Sequence, residues 1–366
     1  MHMASNIAES PYAARRARLA AELSLGGADA ILVMRPVNVR YLTGLASSNA
    51  GVLVYDDGRA VLATDSRYAG TARQVAADLP LVEDRAVAAT LIERARKGGA
   101  GGLAFEAHAV TVELHGEMTR QAGPLQLIPQ VRTVEGLRAV KDDAEIELLR
   151  AACEISDRAL EDTVARIAPG VTEREIARLL EFRMMELGAE RTAFDTIVAS
   201  GPNGAIPHHS PSDRPVRRGD LITMDFGAVY RGYHADMTRT VALGEPAAWQ
   251  REIYELVRQA QSTGRRAAHP AASAHDVDAA ARSVIADAGY GDHFEHGLGH
   301  GVGLEIHEAP FLGPHKAGTL EDRVPITIEP GVYLPGKGGV RIEDTVVVRP
   351  DGPELLTKTT KELLVL

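Results

Sequence analysis

Four carboxylates and one imidazole set the chemistry open to this chain: Asp225, Asp236, His300, Glu329 and Glu343. The first two lie in Leu221 to Thr240, LITMDFGAVYRGYHADMTRT. An apolar, strand-like run ends on Asp225, a connection with Gly227 and Gly232 follows, and a second run carries Asp236 back. Glycine and charge between two such runs predict a hairpin with a loop longer than the two-residue ideal. Two aspartates from neighbouring strands, aimed into one interior, cost too much to leave uncompensated. No lysine lies between them, so the residues call for bound cations.

The third donor sits in Glu295 to Pro310, EHGLGHGVGLEIHEAP. His296 and His300 have the i, i+4 spacing of a helical zinc pair. Gly297, Gly299, Gly301 and Gly303 argue against a helix and for strand and loop, where glycine lets backbone approach a ligand closely. There is no HExxH, which disfavours a single-zinc protease. Glu329 ends an apolar strand in TIEPGVY, before Pro330-Gly331. In GVRIEDT, period-two alternation puts Arg341, Glu343 and Thr345 on one face.

Collected, the set is hard and oxygen-rich, which suits Mn²⁺ or a similar divalent ion and disfavours Cu(I) or a structural zinc. It is too large for one metal. Two ions roughly 3.5–4 Å apart would use all five donors, as in dinuclear aminopeptidase sites.

The elements that must position these residues divide into two parts. Up to about residue 135, helical patterns alternate with short strands. A helix is expected over residues 9 to 25, stopped by Gly26-Gly27, then a strand at Ala28 to Met34 and a loop or turn at Asn38 to Gly44. Gly51 to Tyr55 and Ala60 to Thr64 predict a hairpin about Asp56-Asp57-Gly58. Gly102 to Phe105 and Leu125 to Ile128 are further strands of a mixed α/β sheet. Asp65, Glu106 and His108 look isolated, as structural or surface groups. The boundary falls within Val131 to Lys141, giving domains of residues 1–135 and 136–366. Asp142 and Asp143 open a long helix that Pro169-Gly170 ends. Its apolar stripe runs through Ile146, Leu149, Cys153, Leu160, Val164 and Ile167. Thr172 and Glu175 form a capping box for a second helix running to Gly188. Strands at Phe194 to Ala199 and through the aspartate hairpin follow, then helices near Trp249 to Arg265 and Ser273 to Ala288. The end is β-rich, at Val324 to Leu334 and Gly339 to Val348. The second part is therefore α+β, with helices packed on an antiparallel sheet.

Composition narrows the function. The chain has 366 residues, 45% hydrophobic and 4% aromatic, with a net charge of −10. An acidic chain without basic blocks argues against nucleic acid or an anionic membrane as partner. The single cysteine, Cys153, excludes an internal disulfide, implies a reducing, cytoplasmic setting and reads as core. No apolar segment follows Arg15, Arg16 and Arg18, so no export signal is expected. Met1 to Met3 reads as an expression remnant, and His2 is set aside.

DFG…HADMTRT, HGLGHGVG, IEPG and RIEDT together resemble the pita-bread metallopeptidases, in the Xaa-Pro aminopeptidase and prolidase branch (M24B), which includes the metal-free creatinases. NVRYLTG and EGLRAVKDDAEIELLR extend the resemblance over nearly the whole chain. It implies a pita-bread catalytic domain behind a smaller creatinase-like α/β domain, and two metal ions held by Asp225, Asp236, His300, Glu329 and Glu343. Mn²⁺ is the first choice, with Co²⁺, Zn²⁺ or Fe²⁺ as substitutes. Asp236 and Glu343 match the residues that bridge both ions. The implied reaction is metal-assisted hydrolysis of an X-Pro amide in a small peptide, within a homodimer. Glu329 is the implied proton carrier. His208 and His307 match active-site histidines, His296 a histidine of the proline pocket, and Arg341 an arginine near the metals. The doublet leaves His208 and His209 open, with His208 favoured because it follows Pro207.

Singly, each residue has a plainer reading. Asp225 can cap a turn, Arg341 and Glu343 can be a salt bridge, and His300 can be a core histidine. Order and context together outweigh these readings. His234 is left out of the set, and His209, His293 and His315 read as surface groups. Arg40 and Tyr41 read as packing residues. The rival functions are a creatinase-like hydrolase of another small C–N or amide bond, a methionine aminopeptidase and a non-catalytic binding module. The intact donors disfavour the first and third, and the sizeable first domain disfavours the second. No G-x-S-x-G supports a serine hydrolase. Aminopeptidase and strict dipeptidase are not separated by the residues.

Overall fold

The structure, a computed structural model, describes residues 10–366, so Met1 to Met3 and Glu9 lie outside the described residues. One compact unit ends at Arg138 and a second begins at Ala139. Among the described residues, no helix is long and apolar enough to cross a membrane.

The first unit is built on a six-stranded mixed sheet. Its order is Leu81–Glu83, Ala60–Thr64, Ala50–Tyr55, Ala30–Val33, Gly102–Glu106 and Gln126–Gln130. The hairpin Ala50–Tyr55 to Ala60–Thr64 is antiparallel, whereas Ala30–Val33 runs parallel to Gly102–Glu106. Leu32, Leu53, Leu91, Ile92, Leu103 and Phe105 form the core between sheet and helices.

Two expectations for this unit are corrected. Asn38 to Gly44 is not a loop: Pro36–Thr43 is a helix, with Pro at its first turn and Gly44 in the left-handed conformation at its end. Val39, Tyr41 and Leu42 are the side it buries. Glu106 and His108 are not isolated either. The Glu106 carboxylate accepts the N–H groups of Met34 and Arg35 at 2.7 and 2.8 Å, just ahead of that helix. It also accepts from Asn38 Nδ2 at 2.6 Å, which in turn reaches Glu135, as does His108 Nε2 at 2.8 Å. Asp65 caps the helix Ser66–Val75.

The second unit opens on two capped helices. In Asp143–Val164 and Glu173–Glu186, the caps Asp142 and Thr172 exchange reciprocal bonds with Glu145 and Glu175. The first stops at Val164, ahead of Pro169, because Arg166 N and Ile167 N turn back to the carbonyls of Thr163 and Val164. These helices bury Ile155, Leu160, Ile176 and Leu180 against Met224, Phe226 and Met237. Two more helices, Ala248–Ala267 and Ala274–Asp287, pack on the other strands through Ile253, Val257, Val277 and Ile285.

Three antiparallel groups of strands carry the site. Leu221–Phe226 lies between Ile197–Ser200 and Met237–Ala242. The connection between the aspartate strands is itself a small hairpin, Ala228–Tyr230 with Tyr233–His234, paired to Arg191–Thr192. A five-stranded sheet runs Glu308–Leu312, Gly299–Gly301, Pro325–Ile328, Asp344–Val347 and Glu354–Leu355. Gly331–Leu334 pairs with Gly338–Arg341. The run expected as one strand at Gly339 to Val348 is thus two, broken at Ile342 and Glu343. Likewise Phe194 to Thr196 lies outside any strand, and only Ile197–Ser200 pairs.

Candidate metal centre

The backbone brings the donors together by close approach. At Gly227 a Cβ would lie 1.8 Å from the carbonyl oxygen of Ala235, and at Gly299 2.0 Å from that of Thr327. Only glycine allows the chain to pass there. The first contact draws the end of the Asp225 strand against the residue preceding Asp236. The second sets His300 beside the strand that ends before Glu329.

A cavity of about 630 Å³ lies where these elements meet. Asp225, Asp236, His300, Glu329 and Glu343 all line it. So do His208, His296, His307 and Arg341. Phe194, Ile197, Ile306, Phe311 and Leu312 supply apolar wall. His209 does not line it. Its Nε2 is 2.8 Å from the Glu173 carboxylate, so it is a structural group and not the surface histidine expected. His234 also turns away, with Nδ1 on the carbonyl of Gly303 and Nε2 3.1 Å from Arg191.

The cavity's acids are under-compensated. Ligand atoms of Asp236, His300 and Glu343 lie within 4.8 Å of one another. His300 Nε2 is 3.5 Å from Asp236 and 3.4 Å from Glu329. Asp225 Oδ1 and Glu343 Oε1 are buried and have no hydrogen-bond partner among the described residues. Burial, then the neighbouring acids, pushes Asp236 and Glu343 well above the carboxylate range. Burial likewise pushes Glu329 up to about 8, against the pull of Arg341. Arg341 is the one guanidinium in the cavity wall. Its Nη2 donates to Asp225 at 2.6 Å, Nη1 to the Tyr333 hydroxyl at 2.8 Å and Nε to Thr238 at 3.1 Å. Arg341 and, among the described residues, Lys316 are the only lysine or arginine cations in the lining, so four carboxylates still leave an excess of negative charge that divalent ions would neutralise. The donor set therefore fits a pair of hard cations.

The imidazoles are prepared for different work. His300 Nδ1 lies 3.0 Å from the carbonyl of Gly301, so that nitrogen carries the proton and Nε2 keeps its lone pair toward the acids. Burial first, and the charge of His307 next, lower its pKa to about 4, so the ring is neutral as a ligand must be. The His307 ring meets it edge-on, with centroids 4.4 Å apart. His296 is spent on both sides: Nδ1 faces the carbonyl of Gly297 and Nε2 the Tyr333 hydroxyl, each at 2.8 Å. It is a fixed wall and not a donor to metal.

Sequence reasoning assigned no role to the groups that orient the donors. Thr238 Oγ1 donates to Glu343 at 2.7 Å, Thr327 Oγ1 to Glu329 at 3.2 Å, and Thr345 Oγ1 to the carbonyl of Asp236 at 2.8 Å. Thr238 and Thr327 each sit two residues from a donor, a spacing that alternation could have exposed. Glu173 was read only as part of a helix start. It accepts from Ser200, Asn203, His209 and Ser212 and so holds the segment that presents His208. A second cavity, about 640 Å³ in the first unit, has no histidine in its lining, and its Glu106 is spent on backbone N–H groups.

A strand-built, acid-rich centre with one neutral imidazole is what the resemblance to the pita-bread metallopeptidases implied. Residues 147–350 match metallopeptidase family M24, and residues 15–140 match the creatinase/prolidase N-terminal domain. The chain is 40% identical to a Xaa-Pro dipeptidase of Pyrococcus furiosus over 339 residues, 92% of this chain and 95% of that one. A Xaa-Pro dipeptidase structure from Bacillus anthracis superposes with a TM-score of 0.93 at 37% identity, covering 97% of this chain and all of that one. An X-Pro aminopeptidase structure from Thermotoga maritima gives 0.88 at 39% identity, covering 93% and 98%. This chain belongs to metallopeptidase family M24 and is a metallo-exopeptidase.

Proposed function

We propose that the protein hydrolyses the X-Pro amide bond at the N-terminus of small peptides or in X-Pro dipeptides. The observation that carries this is the convergence of five donors on one cavity, with buried carboxylate oxygens that no group among the described residues satisfies. Asp225, Asp236, His300, Glu329 and Glu343 would hold two divalent ions, Mn²⁺ first among them. Such ions, when bound, polarise the scissile carbonyl and ease deprotonation of water at neutral pH.

The chain's own groups do the rest. Glu329, half-buried at the cavity with one oxygen held by Thr327, takes the proton and passes it to the leaving nitrogen. His208 and His307 donate hydrogen bonds to the oxygen that gains charge. The X-Pro amide has no N–H, so a wall that demands no hydrogen bond from it suits it. His296, with both nitrogens engaged, is such a wall, and Arg341 helps to fix the substrate. The working form is a cytoplasmic homodimer, with residues 136–366 as the catalytic domain and residues 1–135 limiting substrate length. A metal-free, creatinase-like reaction has no use for the unpaired carboxylates.

Metal-stripped protein given Mn²⁺ should be offered Gly-Pro, Met-Pro, an X-Pro-Y tripeptide and Met-Ala-Ser. Cleavage of the tripeptide before proline makes it an aminopeptidase, and cleavage of the dipeptides alone a dipeptidase. Cleavage of Met-Ala-Ser alone overturns the proline-specific reading.

A further inference from the structure

Behind the donors lies an arginine that touches neither the cavity nor any ligand atom. Arg239 is buried, on the strand Met237–Ala242. All five of its N–H groups find acceptors. Nη1 donates to the carbonyls of Thr238 and Glu343, and Nη2 to Asp344 at 2.8 Å and to the carbonyl of Thr359 at 2.7 Å. Nε donates to the carbonyl of Thr360 at 3.0 Å. Three stretches of chain thus meet on one guanidinium: the Asp236 strand, the Glu343–Asp344 junction and the C-terminal segment.

We propose that Arg239 is a positioning residue that sets Glu343 against Asp236, using the C-terminal segment as its anchor. The proposal rests on the metal reading of the site. Glu343 falls in the break between two strands, where neither sheet fixes its backbone. Arg239 supplies what the sheets do not. It holds the main-chain oxygen of Glu343 and the side chain of Asp344 next to it. It also holds the main-chain oxygen of Thr238, whose hydroxyl grips the Glu343 carboxylate. The Glu343 N–H to Thr238 carbonyl bond, 3.1 Å, closes the same junction.

The anchor is itself tied down. Asp157 accepts the N–H groups of Lys358 and Thr359 at 2.8 and 2.9 Å. Lys361 Nζ and Gln261 Nε2 reach the other oxygen of Asp344 at 2.7 and 2.8 Å. Beyond it, Ala242 N donates to Leu364 O and Leu366 N to Ala242 O. A planar fork with five donors can join carbonyls on three segments. A lysine ammonium keeps the charge beside Asp344 but cannot span them. Sites of this kind lose function when donors drift by about half an ångström.

The test is Arg239→Lys in the full-length protein, stripped of metal. Mn²⁺ binding is read by titration calorimetry and turnover of an X-Pro peptide as a function of Mn²⁺. The more weakly held ion should bind at least tenfold more weakly. Turnover at limiting Mn²⁺ should fall by a similar factor and return with excess Mn²⁺, with KM unchanged within twofold. A lower melting temperature with unaltered Mn²⁺ affinity makes Arg239 merely structural and overturns the proposal. Hydrogen exchange on the unaltered protein decides the matter if the variant does not fold. Mn²⁺ should slow exchange at Thr359 to Lys361 together with Glu343 to Thr345, and a C-terminal segment indifferent to Mn²⁺ overturns the clamp. Unaltered protein that binds no Mn²⁺ sinks the metal reading and the clamp with it. Normal binding in the variant sinks the clamp alone.

Discussion

Replacing Asp236 with asparagine should stabilise the metal-stripped protein while removing most of its response to metal. Asp236 and Glu343 present ligand oxygens within 4.8 Å of each other. Two full charges at that separation repel by about 3.5 kcal/mol at an effective dielectric near 20. Without metal the pair relieves part of this by binding a proton, so an amide in place of one acid should gain about 1–3 kcal/mol. Melting points of units this size move by ~2–4 °C per kcal/mol, so the apo variant should melt roughly 2–12 °C higher.

Metal reverses the order. A cation at 100 times its dissociation constant adds about 2.7 kcal/mol to the native state, or roughly 5–11 °C for one ion. The native protein should gain at least that with Mn²⁺. The variant, short of a donor that lies close to both His300 and Glu343, should gain less than half. Thermal melting of both proteins, with a chelator and with a Mn²⁺ series, checks this. A variant that melts below the native apoprotein, yet keeps the full Mn²⁺ shift, would refute the view that Asp236 is held ready for a cation at a cost in stability.

Three further outcomes follow from the geometry. Glu329→Gln should lower turnover by about 10²–10⁴ with the fold intact, and near-normal rates would remove Glu329 from the mechanism. Gly299→Ala forces a methyl against the carbonyl of Thr327, so it should cost about 1–3 kcal/mol in denaturant unfolding and weaken Mn²⁺ binding through His300; unchanged binding would show that the close approach is not needed for the site. Glu173 should contribute to acid stability. Burial raises its pKa, but the donors Ser212, Asn203, His209 and Ser200 outweigh that and hold it at about 2. A depressed native value stabilises above the unfolded pKa and is lost as pH falls through the native one, so up to about 3 kcal/mol should vanish between roughly pH 5 and pH 2. Glu173→Gln should flatten that limb in denaturant titrations run across this range, and an unaltered limb would place the acid sensitivity elsewhere.

What could be read without coordinates was whatever is encoded locally. The capping box of Thr172 and Glu175, the helix start at Asp142, the hairpin about Asp57 and the glycine-punctuated donor segments each declare themselves within a few residues. The convergence of Asp225 and Glu343 was legible because uncompensated acids in apolar strands demand a common explanation. What escaped was non-local or too short. The helix Pro36–Thr43 spans only two turns, too few for a period to stand out, and Glu106 from a distant strand secures its start. His209 looked like a surface residue because its partner, Glu173, lies 36 positions earlier. The break at Ile342 and Glu343 was hidden because alternation continues through it while the strand passes from one sheet to another.

Adjacent carboxylates in one motif make the strongest case for a centre built to take cations. Glu343 and Asp344 follow each other, and both are buried. Asp344 receives Arg239, Lys361, Gln261 and Thr357. Burial would raise its pKa, yet Arg239 and Lys361 outweigh that and leave it lowered. Glu343 receives one hydroxyl, from Thr238, keeps an oxygen without a partner, and is driven upward by burial and its acidic neighbours. The same chain, at the same depth, thus satisfies one acid with two cations and leaves the next without any. Uniform selection for stability would compensate both, since an unpaired buried acid is among the costliest groups a fold can carry. The asymmetry follows the faces of the chain, with the compensated acid turned to the C-terminal segment and the uncompensated one to the cavity. A charge withheld only where the cavity begins is a charge left for something that enters it.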